Sequence, residues 1–290
     1  LEAFAPPYVV KTDGLAAGKG VVVTESLADA RDAVRTYLSG EAFGDAGRTL
    51  VIEEGMTGPE LSLLVVCNGK PDEARPLTPS QDFKRIDDGD TGLNTGGMGA
   101  YSPVPIAEGR IDELMEMFVM PTLAHLGGLG IDYRGVLYAG LMFTPEGPKL
   151  VEYNVRFGDP EAQVVLPRLE TDAGAVLLAA ARGDELPPLR FSDAAAVTVV
   201  MATEGYPVSP YRTGDPIEGL DAAASLDDVI VFHAGTTASD DGFVASGGRV
   251  LDVTALGPTI AAARARAYAA VDLIRWPGAQ HRFDIAAHPT

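Results

Sequence analysis

The chain has 290 residues, 46% of them hydrophobic and 22% charged, with a formal net charge of −19. That length can bury a sizeable core shared among two or more units, and the composition is that of a soluble globular protein. The acidic balance excludes a nucleic-acid surface built on clustered Lys and Arg, no apolar run reaches the ~20 residues of a membrane helix, and the single cysteine, Cys67, can form no intrachain disulfide. With no charged-then-apolar leader at its start, the expectation is a cytoplasmic monomer.

Tyr8-Val-Val-Lys-Thr12 reads as an interior strand, and Lys11 within it needs an anionic partner. Asp13 to Gly20 is a glycine-rich turn leading into a second strand, Gly20-Val-Val-Val-Thr24, so the pair reads as a hairpin. It is not a Walker A loop, because Gly14 and Gly18 are three residues apart, Lys19 is followed by Gly20, and a strand comes next. Two readings stay open: a flap whose backbone N–H groups meet phosphates, or an ordinary hairpin with a solvated lysine. Ser26 is expected to cap a helix to about Ser39, with Leu27, Ala30, Val34 and Leu38 on one side. Thr49 to Glu54 reads as a buried strand ending in Glu53 and Glu54, and Glu60 follows the turn Thr57-Gly58-Pro59. By themselves these acids are equally well solvated strand ends.

Cys67 closes the apolar run Leu61 to Val66 and reads as a packed thiol. Residues 80–103 show little periodicity yet carry Asp82, Lys84, Arg85 and Asn94-Thr95-Gly96-Gly97-Met98-Gly99. A long irregular loop inside a compact domain is functional or disordered, and consecutive glycines let backbone amides approach an anion. Glu108 to Gly128 reads as an amphipathic helix, with Ile111, Leu114, Met115 and Phe118 as core rather than a cofactor box. Arg134 to Thr144 and Lys149 to Asn154 read as a hairpin. Alternation along its second strand points Glu152 and Asn154 the same way, with Arg156 at the end. A carboxylate, an amide oxygen and a guanidinium suit a magnesium nucleotide beside an acid; a solvated edge strand is the other reading.

Asp172 to Ala181 reads as a helix and Gly183 to Pro188 as a domain boundary. Beyond it, strands at Ala194 to Ala202, Val229 to Ala234, Phe243 to Ala245 and Val250 to Val253, then a helix from Pro258 to Ile274, suggest a small mixed domain. His233 alone reads as a core histidine. The four histidines lack zinc spacing, and there is neither a Gly-x-Ser-x-Gly elbow nor a Gly-x-Gly-x-x-Gly after a strand.

Arg156-Phe-Gly-Asp-Pro-Glu-Ala-Gln163 resembles the signature of the phosphoribosylamine–glycine ligase (glycinamide ribonucleotide synthetase) family of the ATP-grasp superfamily. Other motifs resemble it in the same order: Lys11 to Gly20, Val51 to Glu54, Gln81 to Arg85, Asn94 to Pro103, Gly135 to Met142, and Phe232 to Thr236. The resemblance implies an α/β (α+β) ATP-grasp fold sandwiching ATP, followed by a small mixed carboxy-terminal domain. The expected division is a lid subdomain over 1–60, a core subdomain over 61–188, and the last domain over 189–290. The family carries an amino-terminal domain before the point where this chain starts, so the chain is expected to be a fragment or truncated form.

The implied reaction joins glycine to 5-phosphoribosylamine at the expense of ATP, through a glycyl phosphate, with Mg²⁺ or Mn²⁺. Glu152 and Asn154 are then expected on the metal. Lys11, Gly18, Lys19, Gly20, Glu53, Glu54 and Glu60 are expected on ATP. Arg156, Asp159 and Lys84 are expected to be catalytic, with Arg156 and Asp159 holding glycine or its acyl phosphate. Asp82 and the loop Asn94, Thr95, Gly96, Gly97, Met98 and Gly99 are expected to face the phosphoribosylamine. His233, Thr236 and Gly247-Gly248-Arg249 are weaker candidates for closing the site. Phe83 stands where the family has histidine and is assigned no polar role. A second acid, which many ATP-grasp enzymes carry on the hairpin's first strand, is missing from the apolar Gly140 to Thr144. A nucleotide-binding fragment, or a ligase for another acid and amine, would share most of these features.

Overall fold

The computed structural model describes residues 1–14, 16 and 20–290, which divide into two compact units. The smaller comprises residues 1–58 with 144–146. Its sheet has the order β2–β1–β3, built from β1 (Tyr8–Thr12), β2 (Val21–Thr24) and β3 (Leu50–Glu54), with both pairs antiparallel. Helix α1 (Leu27–Leu38) packs on it, and Ser26 caps the helix by accepting from the Asp29 amide at 3.2 Å. The expected apolar face of α1 is corrected at its end. Tyr37 is buried against Val10 and Ala30 while Leu38 is half exposed, because the aromatic ring reaches the sheet and packs edge-on against Phe43. β3 is not the buried strand expected from its composition: as an edge strand it keeps Val51 and Glu54 exposed.

The larger unit comprises residues 59–143 and 147–290. Its first sheet has the order β11–β10–β4–β5, from β4 (Glu60–Asn68), β5 (Arg75–Pro76), β10 (Arg134–Thr144) and β11 (Gly147–Asn154). β4 reads as an unbroken apolar run because both faces of this sheet are covered. Leu61, Leu63, Val65 and Cys67 enter one core, and Leu64 and Val66 enter another. Burial raises the Cys67 thiol pKa to about 11, which fits a packed rather than a reactive cysteine.

Residues 80–103 are more ordered than their aperiodic sequence suggests. They form β6 (Gln81–Asp82), the pair β7 (Arg85–Asp87) and β8 (Thr91–Asn94), and β9 (Gly99–Ser102). Such short strands, closed by tertiary pairing, leave no period to detect. The expected helix after Glu108 runs as α2 (Ile111–Leu114), a π-helical turn at Met115–Val119, and α3 (Met120–Gly128). After β11 come α4 (Ala162–Val165) and α5 (Ala173–Arg182), the latter capped by Asp172. The remainder is β12 (Ala195–Ala202), α6 (Leu220–Ala224), β13 (Val229–His233), the hairpin of β14 (Thr236–Ser239) and β15 (Gly242–Ala245), β16 (Arg249–Gly257), and α7 (Ile260–Val271). The second large sheet, β13–β16–β12–β9–β6, joins these late strands to β9 and β6. The segment after residue 188 therefore shares a sheet and a core with what precedes it. Among the described residues no helix is long and apolar enough to cross a membrane.

One buried cation ties this region together. Arg168 donates to the Ala194 carbonyl at 2.6 Å, Ser102 Oγ at 2.6 Å, Thr78 Oγ1 at 2.7 Å and the Ser192 carbonyl at 3.2 Å. Burial lowers its pKa, with Asp193 acting the other way. Arg168→Ala should lower the unfolding free energy by about 3 kcal/mol, since several buried acceptors lose their donor together. Urea titration of variant and wild type checks this; midpoints that coincide would refute it.

Candidate active site

In the smaller unit, Lys11 and Glu53 sit on adjacent antiparallel strands, Glu53 lying two residues along from Val51, the residue opposite Lys11. This diagonal brings Nζ of Lys11 to 2.5 Å from Glu53 Oε2, so the buried-strand lysine has its anionic partner. Glu54 ends β3 and is exposed, and Gly20 is buried where its carbonyl accepts from Thr12 at 2.9 Å. Gly18 and Lys19 lie outside the described residues.

In the larger unit, residues directly opposite one another share a face of the sheet. Ser62 lies opposite Gly140 and Glu60 opposite Met142, while a β-carbon built on Gly140 would lie 3.6 Å from Cγ of Glu152. Glu60, Ser62 and Glu152 therefore share one face, joined two residues on by Asn154. Asn154 Nδ2 donates to Glu152 Oε1 at 3.0 Å, so the alternation expected from the sequence brings the two side chains together. Glu152 is exposed on the edge strand. Hard oxygens of this kind suit Mg²⁺, which keeps several waters and shares substrate phosphates. Gly140 occupies the neighbouring cross-strand place, and the described residues contain no cluster of three or more acidic, His or Cys ligands. A cation here would take one carboxylate and one amide oxygen from the protein.

On that face Glu60 and Ser62 belong to a partly buried polar network. Lys84 Nζ is 2.5 Å from Glu60 Oε2 and 2.7 Å from Asp82 Oδ1; the Asp82 side chain is only 4% exposed, that of Lys84 39%. Burial works against the ammonium, but Asp82 and Glu60 outweigh it and raise the Lys84 pKa well above the usual lysine value. Tyr138 donates to Glu161 Oε1 at 2.6 Å, and Ser62 Oγ lies 2.7 Å from the same hydroxyl. Glu161 is 3% exposed; burial and then the Asp82 charge raise its pKa, against the Tyr138 hydrogen bond and Lys84. Burial and the same carboxylates also raise that of Tyr138. The network holds a fixed ammonium beside three carboxyls, with Asp82 and Glu161 buried and Lys84 and Glu60 open to solvent on one side, where it can orient an anion or accept a proton.

A second cluster joins the glycine loop to the signature loop. Arg249, at the start of β16, donates from Nη1 to the carbonyls of Asp159 at 2.7 Å, Gly96 at 2.9 Å and Gly97 at 3.4 Å. Its Nη2 lies 3.1 Å from Asp159 Oδ2. The Gly96 amide donates to the Tyr206 hydroxyl at 2.9 Å. Gly97 has φ of 116° and packs so closely that an added β-carbon would lie 2.4 Å from Cδ of Pro160. At Gly158, likewise, a β-carbon would come 2.3 Å from Glu161 Oε2. Gly97 of one motif and Gly158 of the other are thus required by close approach, and Arg249, a weaker candidate in the sequence, bonds both loops.

The other expected residues are distributed less simply. Met98 is fully buried, its amide donating to Phe83 and its carbonyl accepting from Val200, so its side chain is core and cannot face a substrate. Gly99 begins β9 and is buried with it. Thr95 braces the loop by donating to the Lys84 carbonyl at 2.9 Å and accepting from the Gly97 amide at 2.9 Å. Asn94 is exposed and pairs with Arg85. Arg156 is exposed and donates to the Phe157 carbonyl at 2.8 Å. Phe83 lies beneath the Arg282 guanidinium, 5.1 Å from its ring centre, in keeping with an apolar role. His233 pairs with Thr236 at 3.0 Å and stacks on Phe243. Glu161, Tyr138, Gln163, Tyr206 and Asp252 were not singled out in the sequence. Glu161 and Gln163 lie within the signature and Tyr138 within Gly135 to Met142, while Asp252 stands as a lone acid in the apolar run Val250 to Val253.

Residues 1–162 match the ATP-grasp (A) domain of phosphoribosylglycinamide synthetase, and residues 196–288 match the C domain of the same enzyme. A phosphoribosylamine–glycine ligase of Streptomyces coelicolor is 52% identical over 99% of this chain and 67% of its own length. Its counterpart in Brucella melitensis is 50% identical over 96% and 65%. The chain thus spans about two thirds of the length of these curated relatives. The crystal structure of phosphoribosylamine–glycine ligase from Thermotoga maritima superposes with a TM-score of 0.88 at 37% identity, covering 98% of this chain and 70% of that one. The biotin carboxylase domain of Hydrogenobacter thermophilus 2-oxoglutarate carboxylase, determined with MgADP and bicarbonate, shares the fold at a TM-score of 0.68 and 15% identity over 97% of this chain and 59% of that one. With matched domains in both halves and a half-identical sequence along nearly its whole length, the chain belongs to the phosphoribosylglycinamide synthetase family, with the ATP-grasp fold.

Proposed function

We propose that this chain carries the ATP-dependent ligation of glycine to 5-phosphoribosylamine, forming glycinamide ribonucleotide, ADP and phosphate. The observation that carries the reading is the clasp of Arg249 across the Gly96–Gly97 loop and Asp159, because it brings the two sequence motifs most particular to the family into one site. A carboxylate is a poor acyl donor because its oxygen is a poor leaving group. The glycine carboxylate oxygen therefore attacks the γ-phosphorus and ADP leaves. The amine nitrogen of phosphoribosylamine then attacks the acyl carbon, the C–O bond to phosphate breaks, and the nitrogen gives up a proton. No protein nucleophile is needed; positioning, charge neutralisation and exclusion of water are.

In this reading Glu152 and Asn154 hold Mg²⁺ or Mn²⁺, which when bound neutralises phosphate charge. Lys11, Gly18, Lys19, Gly20, Glu53, Glu54 and Glu60 serve ATP, with residues 1–60 acting as lid, 61–188 as core and 189–290 as closing domain. Arg156 and Asp159 orient glycine, and Lys84, held by Asp82 and Glu60, keeps a positive charge near the transferred phosphoryl group. Asp82, Asn94, Thr95, Gly96 and Gly97 hold the phosphoribosylamine, with Met98 and Gly99 anchoring that loop to the sheet. The enzyme works as a cytoplasmic monomer. A second reading is a nucleotide-binding piece inactive by itself; the chain spans about two thirds of the length of the relatives named above.

Measuring ADP release with ATP, Mg²⁺, phosphoribosylamine and a panel of amino acids tests both. Turnover that requires glycine and the amine together supports ligation. Equal turnover with other amino acids overturns it. Nucleotide binding without turnover, restored when the relatives' additional amino-terminal segment is supplied, supports the second reading.

A further inference from the structure

Asp252 is the one acid of β16, 1% exposed, and the proposed reaction makes no use of it. Gln163 Nε2 lies 3.2 Å from Asp252 Oδ2 and 3.0 Å from Asp159 Oδ1, so one amide joins two carboxyl groups. Asp252 Oδ1 and Gln163 Oε1 are both buried and, among the described residues, accept no hydrogen bond. Across the sheet Asp252 faces Val200 of β12 and Phe232 of β13, which are apolar. The charged groups acting on it are Asp159 of the signature loop and Arg249 of its own strand; α4 contributes only the neutral Gln163. Arg249 is already committed to Asp159 and to the carbonyls of Gly96 and Gly97.

We propose that Asp252 is a positioning residue for the substrate loops: carrying a proton, it keeps Gln163 on Asp159 and leaves Arg249 to clamp the glycine loop, and on losing that proton it draws on Arg249 and loosens the clamp. The reasoning is a count of donors. An ionised Asp252 would leave Oδ1 as a buried negative oxygen without a donor, a costly arrangement, and the cation whose charge acts on it is Arg249. The neutral acid needs no such help. Burial and then the neighbouring Asp159 push the Asp252 carboxyl up to about 7, with Arg249 and Gln163 pulling it down.

The sign follows from linkage. The clamped form holds the proton more tightly than the open form, where the carboxyl returns towards 3.8, so the clamp is strongest at low pH. It weakens as pH rises from 3.8 to about 7 and stays weak above that. The inference takes from the proposed function only the identification of these loops as the substrate site.

Amide hydrogen exchange of segments 94–99 and 156–163, corrected for intrinsic base catalysis, tests it in the protein as it stands. Opening should grow by up to about tenfold per pH unit below the Asp252 midpoint and level off above it. Asp252→Asn, permanently neutral and of the same shape, should keep the low-pH protection at all pH values. A wild-type profile without slope, or the same slope in Asp252→Asn, would overturn the proposal. Should that variant fail to fold, carboxyl-carbon NMR of the wild type decides: a midpoint near 7 supports the proposal and one near 3.8 overturns it. In a turnover assay, Asp252→Asn should flatten the pH dependence of the glycine KM with little change in kcat. Absence of any glycine dependence, with the exchange results as expected, would count against ligation and not against the clamp.

Discussion

Replacing Glu152 by alanine is expected to abolish metal-dependent ATP turnover while leaving the protein folded. Glu152 is exposed at a sheet edge and its mapped hydrogen bond is the one from Asn154, so the substitution removes no packing. Surface changes of this kind alter stability by about 0.5 kcal/mol or less. Its effect on turnover should exceed the roughly 10–100-fold that losing an outer-shell partner of a metal ligand costs, because the adjacent cross-strand place is Gly140 and Glu60, on the same face, is committed to Lys84. Isothermal titration with a non-hydrolysable ATP analogue, with and without Mg²⁺, separates the metal from the nucleotide. The variant should retain metal-free affinity and lose the gain on adding metal. Near-normal turnover, or an undiminished gain, would remove Glu152 from the metal site.

Gly97→Ala should cost turnover nearly as much, for a different reason. The position has φ of 116°, which a residue with a β-carbon rarely adopts, and that carbon would lie 2.4 Å from the Pro160 ring. A proline ring on the signature loop cannot turn aside as a flexible side chain would, so the two loops must separate. That separation pulls the Gly96 and Gly97 carbonyls away from Arg249. Displacements of about 1 Å at a positioning element cost on the order of a hundredfold in rate, and a similar loss in kcat/KM is expected here. Gly147→Ala is the control: its φ is 120° but nothing lies within 4 Å of the new carbon, so it carries the backbone strain without the collision. If the two variants behave alike, strain rather than loop contact is responsible.

Much of the fold was legible locally because it rests on local chemistry. The cap at Ser26, the β1–β2 hairpin, and the alternation that pairs Glu152 with Asn154 each follow from side-chain type and spacing. The short strands of residues 80–103 did not, since a strand of two to four residues shows no period and exists only through its partners. The exposure of β3 and of Leu38 escaped notice for the same reason: burial depends on what comes to cover an element.

By itself the sequence determined the family and the acid and amide that share one strand face, because these depend on residue identity in contiguous motifs. Only the tertiary structure decided that Arg249 clasps Gly96, Gly97 and Asp159, that Lys84 rests between Glu60 and Asp82, and that Glu161 and Asp252 are buried acids. Those pairings span up to 153 residues of chain. Desolvation, which raises the pKa of both acids, is a property of what surrounds a carboxyl in space and leaves little trace in the residues beside it.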